Sequence, residues 1–115
     1  MLANKREKAE FAPIIGEDID KVEKAVLIGP QDNAPNFFMR HFKLSAGGHT
    51  PYHKHDWEHV VYILSGEGKL RGESGYLELK GGTAVIIQPD EIHQFWAADD
   101  SPMEFLCMVP KYAKG

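Results

Sequence analysis

A single cysteine, Cys107, leaves no partner for an internal disulfide. The fold must therefore be held by its core, and a reducing compartment suits it. Long apolar runs are also missing: nothing approaches the ~20 residues needed to cross a bilayer. The opening "MLANKREKAEFAPIIG" holds no apolar stretch of signal-peptide length. These absences lead us to expect a cytoplasmic protein with no membrane partner. Positive charge is in short supply, with 13 Lys and Arg against 17 Asp and Glu for a formal net charge of −4. Nucleic acid would call for a basic patch, and the cluster Lys5, Arg6 and Lys8 is interrupted by Glu7, so no nucleic-acid partner is expected. Sustained helical periodicity is absent, and only "GEDIDKVEKAV" has the make-up for one helical turn.

What the sequence does have is dense turn chemistry. "SAGGHTP", "SGEG", "RGESG", "KGG", "QPDE" and "ADDSP" separate short runs rich in β-branched and aromatic residues, such as "NFFMRHFKL", "HVVYIL", "TAVIIQ" and "MEFLCMV". Many short strands at regular spacing predict an all-β fold, a small antiparallel sandwich or barrel. With 115 residues one domain is expected. We take it to span residues 21–115. Residues 1–20 would be an N-terminal arm, either loose or swapped as an edge strand onto a second copy.

"HKHDWEHVV", from His53 to Val61, is the most informative stretch. Strand side chains alternate faces, so His53, His55 and His59 are expected on one face and Glu58 on the other. Asp56–Trp57 is where the chain could bend. Several imidazoles on one inward face are costly to bury without a shared partner, and a divalent cation supplies one. His93, in "GGTAVIIQPDEIHQF", is the downstream candidate, reached by an antiparallel return after the "QPDE" turn; Phe95 shares its face. His41 and His49 have no evident convergent partner and read as solvated or hydrogen-bonded histidines.

These residues resemble the cupin superfamily, whose jelly-roll barrels bind metal. Its first motif is a glycine, five residues, His-x-His, three or four residues, a glutamate, six residues and a glycine. Here Gly47, His53, His55 and Gly66 keep that spacing, and His59 stands in place of the glutamate. In the second motif Gly82 leads to His93, with Asp90 in place of a turn glycine and Ala97 in place of a common asparagine. The resemblance is to small single-domain cupins with a four-histidine site. It implies His53, His55, His59 and His93 as ligands for one divalent transition metal per chain, among Mn, Fe, Ni, Cu and Zn. It also implies a pocket face made by Phe105, Cys107 and Val109; alternation alone does not choose between the faces of that strand. Cys107 is open to two readings, a thiol oxidisable near a redox metal or a small buried hydrophobe.

Arg40 sits among apolar neighbours in "NFFMRHFKL". It reads either as an anion-holding group at the pocket or as a solvated edge charge. Trp57 is a candidate for the pocket entrance. Four neutral imidazoles would leave the metal its full charge and open positions. From this we expect a metal-dependent oxidoreductase of dioxygenase type. Its partners would be a small-molecule substrate such as a carboxylate or phenol, with dioxygen or peroxide, and a second copy in a homodimer. The alternatives are a non-catalytic metal- or small-molecule-binding module, and an isomerase or lyase drawing on Tyr52, Tyr62 or His41 for proton transfer.

Overall fold

The computed structural model describes residues 1–113. Eight strands follow one another: β1 (Ala12–Pro13), β2 (Asp20–Ile28), β3 (Phe37–His49), β4 (His59–Gly72), β5 (Gly75–Lys80), β6 (Ala84–Ile87), β7 (Gln94–Ala97) and β8 (Met103–Pro110). All pairings are antiparallel. The long strands β3 and β4 frame the molecule. β8 pairs with both of them along most of its length, and β7 pairs with both as well. These double pairings close the sheet into a barrel and remove its central edges. The all-β expectation holds.

Period-two alternation explains how the barrel fills. In β8, Met103, Phe105, Cys107 and Val109 are buried, while the residues between them are half-buried. In β4, Val61 and Ile63 point inward and Val60 and Tyr62 outward. Phe105 is stacked between Phe42 and Phe95, with ring centroids 5.2 and 4.6 Å away. Removing a ring as buried as Phe105 would cost roughly 3–5 kcal/mol. Gly66 has φ +86°, and a Cβ there would run into the Pro102 carbonyl. The second glycine of the first motif is thus fixed by the close passage of β4 over the start of β8.

Two local expectations are corrected. "GEDIDKVEKAV" forms no helical turn: Asp20–Ile28 is strand β2, because pairing with β3 satisfies its backbone along nearly its whole length. Nor do the histidines of "HKHDWEH" ride one continuous strand. His53 makes an isolated bridge to His93, the chain bends at Asp56–Trp57, and β4 begins only at His59. In the arm, a short 3₁₀ turn at Arg6–Lys8 precedes β1, which pairs with β2 of the same chain. Phe11 then covers the outer face of β3 by packing edge-on against His41 at 4.9 Å.

Candidate metal centre

Two loops bring the histidines together, and backbone hydrogen bonds hold those loops in register. The His53 N–H donates to the His93 carbonyl at 3.1 Å, and the His93 N–H donates back at 3.0 Å. The Asp90 N–H donates to the His55 carbonyl at 2.7 Å. Asp90 adopts φ +64°, the left-handed conformation that a glycine takes easily and an aspartate tolerates. The departure from glycine at this turn therefore leaves its geometry intact.

Ring nitrogens of His53, His55 and His93 lie within 4.8 Å of one another. His59 adjoins them: its Nε2 is 2.7 Å from His55 Nε2, and its ring centroid is 5.3 Å from that of His93. His53 is exposed on one side, His55 is half-buried, and His59 and His93 are buried. Glu58 is exposed, on the opposite side of the chain from His59.

Hydrogen bonds orient these rings. A carbonyl can only accept, so His55 Nδ1–H donates to the Trp57 carbonyl (3.3 Å) and His93 Nδ1–H to the Glu91 carbonyl (2.8 Å). Each neutral ring then carries its lone pair on Nε2, the tautomer that outer hydrogen bonds commonly impose on metal-binding histidines. Trp57 stacks flat on His55 at 4.3 Å and holds its plane. His59 Nδ1 lies 2.9 Å from Cys107 Sγ. Without a cation, the thiol can donate to His59 Nδ1 and His59 Nε2–H to His55. With one bound, His59 Nδ1–H would donate to the sulfur and free Nε2.

The four rings are kept neutral. Burial, reinforced by the neighbouring His93 and His55 rings, holds His53 down at about 4. Burial and the His55 and His93 rings hold His59 at about 3. Burial also lowers His55 and His93, against the opposing effect of their carbonyl hydrogen bonds. Neutral imidazole is the ligating form. A metal about 2.1 Å from each nitrogen would space adjacent donors about 3 Å apart and opposed donors about 4 Å apart. His55 and His59 are 2.7 Å apart, and His53, His55 and His93 lie within 4.8 Å of one another, so these three are near enough to share a divalent cation, with His59 beside them.

The cluster opens into a cavity of about 240 Å³ inside the barrel. Arg40, Phe95, Phe105, Cys107 and Trp57 all line it. Arg40, left open between pocket and edge, is 7% exposed and donates from Nη2 to Cys107 Sγ at 3.4 Å. Burial pushes the Cys107 thiol up, with Arg40 opposing. Val109, which the resemblance carried onto the pocket face but which ordinary core packing claimed more strongly, is buried core and does not line the cavity: it lies two residues beyond Cys107, opposite Phe38. Lys24 also lines the cavity, a placement not foreseen. Its signal was its parity with inward Val22, which a lysine's usual solvation obscures.

His41 and His49 lie away from this centre. His41 is fully buried against Glu104, with Nε2 2.9 Å from the carboxylate. His49 stacks on Trp96 at 4.1 Å, and its Nδ1 lies 3.1 Å from the Thr50 carbonyl and 3.3 Å from the Gln94 amide nitrogen.

A closed antiparallel barrel with a histidine cluster in its cavity defines a small all-β barrel protein. The chain belongs to the cupins: the family model described as "Cupin domain" matches residues 40–109. It is 34% identical over 71 residues to 1-methylthio-D-xylulose 5-phosphate methylsulfurylase of Rhodospirillum rubrum, a match covering 62% of this chain and 46% of that protein. The chain thus spans less than half the length of that curated relative. Among solved structures it is similar to the polyketide cyclase RemF of Streptomyces resistomycificus, at 28% identity and TM-score 0.90 over 96% of this chain and 79% of that one. A cupin-2 domain protein of Rhodospirillum rubrum gives 25% identity and TM-score 0.86 over 99% and 77% of the two chains.

Proposed function

We propose that this cupin is a metal-dependent enzyme, an oxidoreductase of dioxygenase type acting on a small organic substrate. His53, His55, His59 and His93 would hold one divalent transition metal per chain. The observation that carries the reading is the make-up of the cavity: a cluster of neutral imidazoles faces an aromatic wall, and among the described residues lining it there is no carboxylate. Acid–base work by Asp or Glu has no group to perform it there, which favours metal-centred chemistry. When bound, Fe or Mn would supply redox chemistry toward dioxygen or peroxide, while Zn would supply only Lewis acidity. Phe95, Phe105 and Trp57 would exclude water and position an apolar substrate body. Cys107 would orient His59.

The test is a metal exchange. Fe-, Mn- and Zn-loaded protein are compared for oxygen uptake against a panel of small phenols and carboxylates. Turnover confined to Fe or Mn supports the reading; equal turnover by the Zn form overturns it.

One observation favours a second reading. Lys24 and Cys107 line the same cavity and can move protons, which suits an isomerase or lyase using a metal as Lewis acid. Two of the proteins this chain is similar to, a polyketide cyclase and a methylsulfurylase, bear names that are not those of dioxygenases. Activity in the Zn form would put this reading first.

A further inference from the structure

The cavity wall carries two chemically different sets of side chains. One is the histidine cluster. The other is Lys24 of β2 and Arg40 of β3, and Arg40 adjoins the cluster through Cys107, whose Sγ lies 3.4 Å from Arg40 Nη2 and 2.9 Å from His59 Nδ1. Lys24 lies opposite Phe42 in the β2–β3 register, and the Arg40 guanidinium lies 5.3 Å over the Phe42 ring, so the two cations flank one aromatic residue. From Phe42 a stack runs through Phe105 to Phe95, which meets the His93 ring edge-on at 6.4 Å. An apolar floor thus joins the cations to the histidines.

We propose that Lys24 and Arg40 form an anion-holding pair that selects a small organic oxyanion, a carboxylate or phosphate monoester, as substrate, its apolar body lying on the phenylalanine stack and its reacting end at the histidine cluster. This deepens the enzyme reading above and rests on it. The charge balance supports it. Among the described residues the cavity wall carries two cations and no carboxylate, and a bound divalent metal would add to the positive charge. Burial and the charge of Arg40 both push Lys24 below its ordinary value. An oxyanion between the two side chains relieves that repulsion. The arginine fork suits planar or tetrahedral oxyanions, and Lys24 adds a point charge. A volume of about 240 Å³ suits a small ligand.

The probes are benzoate and phenyl phosphate, with neutral benzamide as control, titrated into metal-free and Zn-loaded protein. Trp57, in the cavity wall, reports binding by fluorescence. We expect at least one anion to bind both forms, benzamide to bind far more weakly, and Lys24→Met and Arg40→Met each to weaken the anion about tenfold or more. The tighter anion identifies the head group. Arg40→Lys should recover part of the loss, and Lys24→Met, at a half-buried position, keeps the test decisive if Arg40→Met does not fold. Equal binding of benzamide, unchanged binding in folded Lys24→Met, or binding confined to the Zn form and indifferent to both variants would overturn the proposal. Zn content of the same samples separates the two ideas. Wild-type protein that takes up no Zn but binds benzoate through the pair refutes the metal reading alone. Zn uptake without pair-dependent binding refutes the pair alone.

Discussion

His41 and the interior cluster set the same side chain in two burial problems with different solutions. His41 lies on the outer face of β3, sealed by Phe11 of the arm, with Nε2 held by the Glu104 carboxylate at 2.9 Å and Nδ1 buried without a hydrogen-bond partner among the described residues. Burial lowers its affinity for a proton, and Glu104 only partly restores it. The four interior rings face one another, and the described residues lining their cavity include no carboxylate. A buried imidazole needs a partner. Outside, the protein supplies one; inside, ring nitrogens of His53, His55 and His93 lie within 4.8 Å of one another and His59 adjoins them. The contrast sets a histidine held by its own chain against a set that the proposed metal would satisfy.

Replacing one member of each set should break the comparison most sharply. His93→Ala should weaken metal binding by more than about a hundredfold, since losing a ligand exceeds the effect of losing an outer hydrogen bond. His41→Ala should leave metal content unchanged. Dialysed, metal-loaded samples measured by elemental analysis check both.

Acid should act next most strongly. The folded cluster rings titrate below the ordinary imidazole value of 6.5, His53 at about 4 and His59 at about 3. Above pH ~6.5 neither folded nor unfolded chains protonate these rings, and no penalty arises. Below it, the unfolded chain takes up protons that the folded one refuses, so metal-free stability falls as pH drops toward the folded values. Protons displace metal only nearer those lower values. Denaturation of metal-free protein at pH 7.5 and 5 should therefore show lower stability at pH 5, with the Zn-loaded protein less affected. Equal metal-free stability at the two values would contradict the buried, neutral cluster.

Smaller effects should follow on the outer face. His41→Ala leaves Glu104 without its partner and a gap beneath Phe11, a loss of about 1–3 kcal/mol by urea denaturation. Glu58→Ala, at an exposed position beside His59, should change stability by less than about 0.5 kcal/mol and leave metal content alone.

The histidine set was legible because its spacing is local: His53, His55 and His59 fall within one short stretch, and the "QPDE" turn signals the return to His93. The rings of His53, His55 and His59 do line one cavity, but not by alternating along one strand. The chain bends at Asp56–Trp57, where Trp57 turns in to stack on His55, and a bridge to His93 does what a continuous strand was expected to do. Strand patterning also foretold the barrel, but alternation could not say which face of β8 looks inward; register against β3 and β4 decides that. Lys24 was invisible for the same reason. A lysine in "KVEKAV" reads as solvated until the pairing of β2 with β3 sets it across from Phe42.

The central claim is that four imidazoles, with no sulfur, can share one metal. X-ray absorption at the Zn edge of Zn-loaded protein measures this directly. The account predicts only nitrogen or oxygen scatterers near about 2.0–2.1 Å with the imidazole signature, and one imidazole fewer in His59→Ala. A sulfur shell near about 2.3 Å, placing Cys107 on the metal, or an unchanged imidazole shell in His59→Ala, would contradict it.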